Sequence, residues 1–440
     1  MIAISVNSHA FRPVIEAEIS DKTAGTEKDS FSWGGRIFTD QYLYSQTGKL
    51  AQSSFSSWLE LSTKNENGLG GHAVGALTIF GKSMDRPDRA SVTGQLREAY
   101  FSYRGDGTSI KLGQQIIPWG KSDGINATDY FSAKDYSLLN PDDEVRRTGA
   151  PGLNLSFTPE SGNSPFTYQF IFQVYSPQNK LLIPSQIIPQ GLTVNLKQPA
   201  PSLFRSNAMQ FGGKIAYQKS NFDFSISAFK GKSAFPEFVF NPATLAVDLV
   251  NFKEVAFGAD ASITLKDYVV QFESAVHLLE NGGRDHPLFG SVEPDHWDTT
   301  LGIERPVLDD FRVQFQFLYR YHLYFREQAL ALTGNPLLDQ LNAGIARANA
   351  TLLNFKQRGN PGATFRLSYA NENSKWSGDF FFVGYFQAGE DFLLRPEIGY
   401  SPFTDFKLLA GMDYYGGNAS RPLGALSQLS DLFLEAKYVF

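Results

Sequence analysis

The sequence contains no cysteine, few charged residues and no long apolar segment. Of its 440 residues, 19% are charged, and its mean hydropathy is -0.24. It has no run of about eighteen apolar residues, which excludes a protein built from membrane-spanning helices. The lack of thiols suits a chain that crosses an oxidising compartment, where thiols could cross-link. A net charge of -6 argues against a nucleic-acid partner.

Aromatic residues, in contrast, are abundant. They make up 14% of the chain, with 38 Phe and 19 Tyr. A soluble protein that keeps its rings in a core rarely has so many, whereas a protein that presents them to lipid does. The composition therefore favours a membrane protein that crosses the bilayer with strands.

The main signal is an alternation of apolar and polar residues with a period of two, from about residue 32 to the end of the chain. It is clearest at 311–322, and it recurs at 165–175, 253–265 and 404–415. Because side chains alternate across a strand, such a segment has one apolar face and one hydrated face. Segments of about ten residues have the length that a tilted membrane crossing needs. In 311–322 the apolar face carries Phe311, Val313, Phe315, Phe317, Tyr319 and Tyr321, and the other carries Arg312, Gln314, Gln316, Leu318, Arg320 and His322.

The alternation divides the chain into eighteen strands. They start near residues 32, 53, 71, 92, 108, 151, 165, 209, 221, 253, 268, 296, 311, 361, 375, 391, 405 and 431. Links after even-numbered strands are short, and links after odd-numbered strands are often long. This parity predicts an all-β, antiparallel transmembrane barrel with short periplasmic turns, long extracellular loops and both termini periplasmic. The first three strands alternate poorly, which leaves sixteen strands as the alternative count.

The two ends of the chain carry separate signals. Residues 1–30 are either an N-terminal arm or a residual signal segment, because 8–10 resemble a signal-peptidase site although no basic region precedes them. Residues 31–440 are expected to form the barrel domain. Apolar residues alternate up to Tyr438 and Phe440. Such an ending resembles the signature read by the barrel-assembly machinery, so we expect these two residues to act as an assembly signal.

The polar face of the strands carries charges of both signs. One interpretation is a ladder of ion pairs between neighbouring strands. The other is a basic lane of Arg312, Arg320, Arg366 and Arg395 that favours anionic solutes. The residues expected to line the lumen are Lys111, Lys214, Asp260, Glu273, Arg312, Arg320, Arg366, Arg395, Glu397, Lys407, Glu435 and Lys437.

The loop 117–149 is rich in aromatic, acidic and basic residues. A long loop with this much chemistry is usually functional, and its apolar content argues against disorder. We predict that it folds inward and narrows the pore. The residues expected at the constriction are Trp119, Lys121, Asp123, Asn126, Asp129, Tyr130, Asp135, Arg146 and Arg147.

Two further loops have recognisable patterns. Loop 324–360 has apolar residues near helical spacing, which predicts a short helix that begins at Pro336 with Asn335 as its cap. That helix is either a plug or lid, or a helix that packs on the barrel rim. Loop 177–208 contains five prolines and is expected to be an extended lid.

Catalytic and metal sites are only weakly indicated. No cysteine is available as a nucleophile, and the six histidines are scattered along the chain. One loop combines histidines and acids that could hold a metal, but acids near a surface histidine are common. We therefore expect no enzymatic activity, no cofactor and no metal. The residues of that loop group are Asp285, His286, Asp295, His296 and Asp298.

One segment, 96–129, resembles a known family. It carries the sequence LREAY at 96–100, then Gly113 and Gln115, then the pattern WGxSDxIN at 119–126. This pattern is similar to that of a family of uncharacterised bacterial outer-membrane proteins, although Gln114 stands where an Arg is common. More distantly, the chain resembles eighteen-stranded porins and exporters such as the alginate-export barrel. The resemblance implies a barrel and transport, places 119–129 at the constriction, and assigns no substrate.

The sequence thus predicts an outer-membrane, porin-like channel or transporter for small, anionic or organic solutes. One alternative is a non-transport barrel that acts as an adhesin or scaffold. Another is a barrel that sheaths a partner protein or an exported polymer. The expected partners are outer-membrane lipid, lipopolysaccharide, the barrel-assembly machinery and a small solute, and the oligomeric state is left open.

Overall fold

The computed structural model describes most of the chain. The described residues are 29–84, 88–122, 124–185, 187–189, 193–196, 203, 205, 207–241, 243–282, 291–326, 334–371, 374–386 and 391–440. The predicted arm up to residue 28, the constriction residue Asp123 and the loop residues Asp285 and His286 lie outside them.

Eighteen antiparallel strands form one closed sheet in the described part of the chain, which confirms the predicted fold. Each predicted strand start lies within three residues of the observed one. The strands are β1 (Ser30–Tyr44), β2 (Leu50–Lys64), β3 (Leu69–Lys82), β4 (Ser91–Gly105), β5 (Thr108–Gln115), β6 (Ala150–Phe157), β7 (Phe166–Gln173), β8 (Gln210–Lys219), β9 (Phe222–Lys232), β10 (Lys253–Leu265), β11 (Tyr268–Leu279), β12 (His296–Leu308), β13 (Phe311–His322), β14 (Gly359–Ala370), β15 (Trp376–Tyr385), β16 (Asp391–Phe403), β17 (Phe406–Gly417) and β18 (Asp431–Val439).

The barrel closes where β1 pairs with β18. The register runs from Arg36 opposite Val439 to Tyr44 opposite Asp431. Gly35 and Phe440 extend the ladder by exchanging two backbone hydrogen bonds of 2.9 and 3.0 Å. Closure leaves the sheet without a free edge, which is what a spanning sheet requires in lipid.

The two faces of the sheet differ as the alternation predicts. On β13, Phe315 and Phe317 are 44% and 39% exposed on the outside, whereas Gln316 between them is 2% exposed and lies inside. Exposed apolar side chains recur on the outer face of the other strands, such as Leu434 on β18. The outside is therefore apolar and the lumen is polar, as in a barrel that faces lipid.

The first three strands belong fully to the barrel, which excludes the sixteen-strand alternative. They are 15, 15 and 14 residues long and pair in order, from β1 to β2 and from β2 to β3. Serines at 53, 54, 56 and 57 and glycines at 70, 71 and 75 dilute their apolar pattern. Because backbone hydrogen bonds set the pairing, strands with small side chains form without a strong alternation.

The connections give the barrel two different ends. Links such as 106–107, 220–221, 266–267 and 404–405 are short, and they define what we call the turn end. The chain enters β1 and leaves β18 at this end. Longer links at the opposite end, the loop end, carry additional elements. The helices are α1 (Asp143–Arg146), α2 (Pro159–Gly162, in a turn-end link) and α3 (Pro336–Leu352), with a 3-10 helix Gly424–Leu429.

Loop-end segments pack on one another. A hairpin of Glu237–Asn241 and Ala246–Val250 lies against α3, and the parallel strand Thr193–Asn195 extends it. Ile345 and Leu352 of α3 are buried in the same cluster as Phe238 and Leu426. Asn349 joins helix and hairpin because its side-chain amide accepts from the Phe238 N–H at 2.8 Å and donates to the Phe238 carbonyl at 2.9 Å. Among the described helices, none is long and apolar enough to cross a membrane.

Candidate functional site in the barrel lumen

The connection between β5 and β6, residues 116–149, is called the crossing loop, and its described residues, 116–122 and 124–149, lie inside the barrel. It contains α1 and a short pair of strands, Ala133–Lys134 and Arg147–Thr148. Its side chains and backbone contact lumen-facing residues of many barrel strands. These contacts determine where the predicted constriction residues lie relative to the barrel wall.

Trp119 organises the first part of the crossing loop. Its indole Nε1 donates to the side chain of Gln169 on β7 at 3.1 Å, and its ring packs edge-on against Phe131 with centroids 4.9 Å apart. Its backbone N–H donates to the Asp129 carboxylate at 3.0 Å, and the Asn126 amide donates to its carbonyl at 3.4 Å. Trp119, Asn126 and Asp129 therefore form one folded unit.

Glu273 on β11 anchors this unit from the wall of the barrel. Its fully buried carboxylate accepts hydrogen bonds from the backbone N–H groups of Lys121 at 2.5 Å, Ser122 at 2.8 Å and Thr128 at 3.2 Å. Gly120 makes the approach possible, because it has a φ of +96° and a Cβ there would lie 3.0 Å from the carboxylate. A side chain at this position would separate the loop from its anchor.

Further contacts continue around the same wall. The Lys121 ammonium lies beside Asp223 and is 3.5 Å from Asp260. The backbone of Ile125 exchanges two hydrogen bonds with the side chain of Gln316 on β13, at 2.8 and 3.3 Å. Tyr130 stacks on Phe229 of β9 with ring centroids 5.4 Å apart.

The second part of the crossing loop contacts the other side of the barrel. Asn140 donates to Glu435 on β18 at 3.0 Å, and Asp142 accepts from Lys437 on the same strand at 3.2 Å. Arg36 on β1 pairs with Glu144 at 3.0 Å. These charge-assisted bonds hold the loop against β1 and β18, the two strands whose pairing closes the barrel and which we call the seam.

Asp143 holds the crossing loop together internally. Its carboxylate is fully buried and pairs with Lys134 at 2.8 Å and Arg147 at 2.7 Å, while Arg146 lies 3.8 Å away. Arg147 also pairs with Asp129 at 3.1 Å. Burial alone would raise the pKa of Asp143, but the surrounding cations outweigh it and hold that pKa well below its usual range.

These contacts span the lumen. The first part of the loop is bound to β7, β11 and β13, and the second to β18 and β1. Strands β2 and β11 lie nine positions apart in an eighteen-stranded ring, so they face each other. The Leu139 N–H reaches Gln52 on β2 at 3.4 Å, and Glu273 on β11 holds Ser122. The chain between them runs from one wall to the opposite wall.

The four arginines of the predicted lane are each paired with a carboxylate. Such pairs leave no unpaired guanidinium among these four, an arrangement that favours the ladder interpretation. Arg320 also reaches Glu293 at 2.7 Å. The pairs are Arg312 with Glu304 at 3.1 Å, Arg320 with Asp298 at 2.6 Å, Arg366 with Asp379 at 2.8 Å, and Arg395 with Asp413 at 2.6 Å.

The remaining predicted residues make separate contacts. The Lys111 ammonium is 4.9 Å from the Tyr100 ring centroid, and that of Lys214 is 4.8 Å from the ring centroid of Trp119. Asp135 pairs with Lys180 at 3.4 Å in a neighbouring loop. Tyr438 and Phe440 lie outside the lumen, with their ring centroids 6.3 Å apart, and are 46% and 42% exposed.

At the described residues the lumen holds several cavities. One, of about 180 Å³, is toward the loop end and is lined by Tyr130, His277, His296 and Arg320 among others. The second, of about 260 Å³, is toward the turn end and includes the predicted residues Arg312, Arg366, Glu397 and Lys407. A space of this size holds on the order of ten water molecules or one small solute.

The sequence did not indicate that three histidines lie side by side toward the loop end of the lumen. His277, His296 and His322 are opposite one another on β11, β12 and β13. The two-residue turn at 309–310 brings His296 to within one residue of its partner, because the turn alone places it opposite Leu323 and a register shift between Pro306 and Leu308 then places it opposite His322. The long link before His296 gives no such information about His277.

Comparisons with known proteins show the fold. The sequence matches no protein-family model and no curated protein sequence. Pseudomonas aeruginosa OccK9 (OpdG) superimposes with a TM-score of 0.55 at 11% identity, over 94% of this chain and 98% of that one. P. aeruginosa OccK2 (OpdF) in complex with glucuronate and OpdK with vanillate give TM-scores of 0.54 and 0.53. Both are 9% identical and cover the same shares.

These structures are outer-membrane porins with eighteen-stranded barrels. At such low identity the similarity shows a common fold. It confirms the porin-type barrel that the sequence resemblance implied. Membership in the family with the motif at 96–129 stays a prediction, since no family model matches.

Proposed function

We propose that the protein is an outer-membrane channel that passes small solutes through a lumen narrowed by the crossing loop. One domain, residues 31–440, forms the barrel in this proposal. The observation that carries it is the attachment of the loop to opposite walls, by Glu273 on one side and by Glu435 and Lys437 on the other. A loop held at both walls leaves restricted passages, which is the geometry of a size-selective pore.

The solutes we propose are small organic molecules. Two of the solved porins with the same fold, OccK2 and OpdK, were crystallised with glucuronate and vanillate, both organic acids. In this chain the four arginines of the predicted lane are paired with carboxylates, which reduces their attraction for a passing anion. We therefore expect an anion preference to be weak, and the reversal potential under a salt gradient measures it.

The difference between the turn end and the loop end gives the orientation of the barrel in the membrane in this proposal. Short turns lie on the periplasmic side of outer-membrane barrels, so both termini are placed in the periplasm. The exposed apolar belt would contact lipid and lipopolysaccharide. Tyr438 and Phe440 would be recognised by the barrel-assembly machinery, and deletion of Phe440 is expected to slow assembly.

The alternatives give different outcomes in a planar bilayer. Purified protein that conducts in discrete, salt-dependent steps supports the channel. A folded barrel that stays silent supports a surface scaffold and overturns the proposal. A barrel that sheaths a polymer needs an open lumen, which the wall-to-wall loop opposes. We propose no catalytic role.

A further inference from the structure

Three histidines form a row across the loop end of the lumen. His277, His296 and His322 occupy adjacent strands in direct register. The rings of His277 and His296 are nearly parallel, at 14°, with centroids 4.7 Å apart, and the ring of His322 follows at 6.0 Å from His296. Two of these rings, with Asp298 two residues after His296, line the 180 Å³ cavity.

The ring nitrogens are arranged as in metal-binding histidines. Nδ1 of His277 is bonded to the Glu254 carboxylate at 2.5 Å, and Nδ1 of His296 is 3.2 Å from the Pro294 carbonyl. Such partners fix the tautomer that leaves Nε2 as the ligand atom. Nε2 of His277 is buried and has no hydrogen-bond partner among the described residues. One ring nitrogen each of His277 and His296 and one carboxylate oxygen of Asp298 lie within 4.8 Å of one another.

The local charge suits a divalent cation. Glu254, Glu293 and Asp298 surround the group, and Arg320 pairs with Glu293 and Asp298 at 2.7 and 2.6 Å. With neutral histidines, three carboxylates and one guanidinium leave two negative charges. The arginine holds the Asp298 side chain in place, as outer-shell partners of ligating carboxylates do.

We propose that His277, His296 and Asp298 bind a late first-row divalent metal ion such as Zn²⁺. Two imidazoles and a carboxylate select such ions over Mg²⁺ and Ca²⁺, which prefer oxygen ligands alone. The separation of up to 4.8 Å must close to roughly 3.4 Å, the edge of a tetrahedral zinc site, and the two imidazole rings must turn out of their nearly parallel arrangement so that both lone pairs point at the ion. The site does not depend on whether the barrel conducts.

Calorimetric titration of Zn²⁺ into tag-free, chelator-treated barrel tests the site. We expect one ion per chain, with excess Mg²⁺ unable to displace it. His277→Gln and His296→Gln should each weaken binding about 100-fold or more, and Glu254→Gln about 10-fold through loss of the outer-shell carboxylate. His72→Gln is the matched control, because His72 bonds Ser62 on distant strands and should leave binding unchanged.

Each variant is checked for folding by its heat-dependent gel mobility before titration. Cobalt(II) in place of zinc adds a second readout, since a visible absorption band that His277→Gln abolishes reports nitrogen ligation. Folded wild-type protein that binds no Zn²⁺ stoichiometrically overturns the proposal. So does a loss of affinity that is as large in His72→Gln as in His296→Gln.

Discussion

The carboxylate of Glu273 accepts a 2.8 Å hydrogen bond from the backbone N–H of Ser122, which is 151 residues away in the chain. Both residues are buried inside the barrel. A carboxylate that satisfies several backbone donors is a strong local anchor, since bonds to a charged group are stronger than neutral ones. This contact fixes where the crossing loop lies.

Replacing Glu273 by Leu should release the first part of the loop. The change removes a charged acceptor from three backbone donors, which we expect to lower the local opening free energy by about 3 kcal/mol or more. Amide hydrogen exchange at Lys121, Ser122 and Thr128 measures it. Glu397→Gln alters another lumen carboxylate, in the turn-end cavity, and should leave exchange at these amides unchanged. Equal protection in Glu273→Leu and wild type would show that the anchor lies elsewhere.

Asp143→Asn should expose the second part of the loop at neutral pH. The substitution leaves Lys134 buried without its counter-charge and Arg147 with Asp129 alone, and the loss of one partner of a buried pair costs about 3–5 kcal/mol. Trypsin should then cleave after Arg146 or Arg147 much faster than in wild type. Asp106→Asn, in a short turn, is the control and should stay resistant to trypsin.

In wild type the pKa of Asp143 is depressed, so its stabilisation is complete above the unfolded-state pKa of about 3.9 and declines as the pH falls below it. Wild-type protection that is already lost at pH 5.5 would contradict this assignment.

The buried and exposed arginine pairs should differ in their effect on stability. Arg395 and Asp413 have side chains only 4% and 9% exposed, so Arg395→Gln leaves an unpaired buried charge and should destabilise the barrel by about 3–5 kcal/mol. Arg312, whose side chain is 56% exposed, pairs with Glu304, and Arg312→Gln should cost at most about 1 kcal/mol. Urea unfolding in lipid vesicles compares them, and similar losses would be evidence against the buried pair.

The seam should tolerate no side chain at Gly35. A Cβ there would lie 2.2 Å from the Trp58 carbonyl and 2.9 Å from the Phe440 ring, so Gly35→Val should block closure between β1 and β18. Gly94→Val is the control because a Cβ at Gly94 meets nothing within 4 Å, and valine suits a strand. The folded fraction after refolding into vesicles is read from gel mobility. Normal folding of Gly35→Val would refute the described seam.

Much of the barrel is readable from the sequence because alternation is a local property. Each strand shows it within about ten residues, and the terminal segment up to Phe440 shows it as clearly as 311–322 does. Short turns limit the register but do not fix it, because symmetry about the turn at 404–405 places Arg395 opposite Tyr414, and only a register shift between Tyr400 and Phe403 brings it beside Asp413. The alternation is weak in strands β1–β3, because their serines and glycines are neither clearly apolar nor bulky enough to mark one face of the strand.

The contacts of the lumen are not readable in the same way. Glu273 looks like any inward carboxylate, and its bonds to Lys121 and Ser122 depend on how a loop folds back across the barrel. The same holds for His277, whose register with His296 is set across a long link. Composition predicts an inward loop that is rich in aromatic and charged residues. Only three-dimensional packing decides which wall residue contacts which loop residue.

Single-channel conductance with the loop freed and then locked tests the central claim most directly. Because the chain has no cysteine, Ser122→Cys with Thr300→Cys can form one defined disulfide, since the two hydroxyl oxygens lie 3.3 Å apart. We predict that Glu273→Leu, in which the loop is freed, conducts more than wild type. In the triple variant, which combines Glu273→Leu with the two cysteine substitutions, oxidation should lock the loop and return the conductance toward the wild-type value. Reduction of the disulfide should raise the conductance again. The same conductance in wild type, in the oxidised triple variant and in the reduced triple variant would contradict a pore narrowed by the crossing loop.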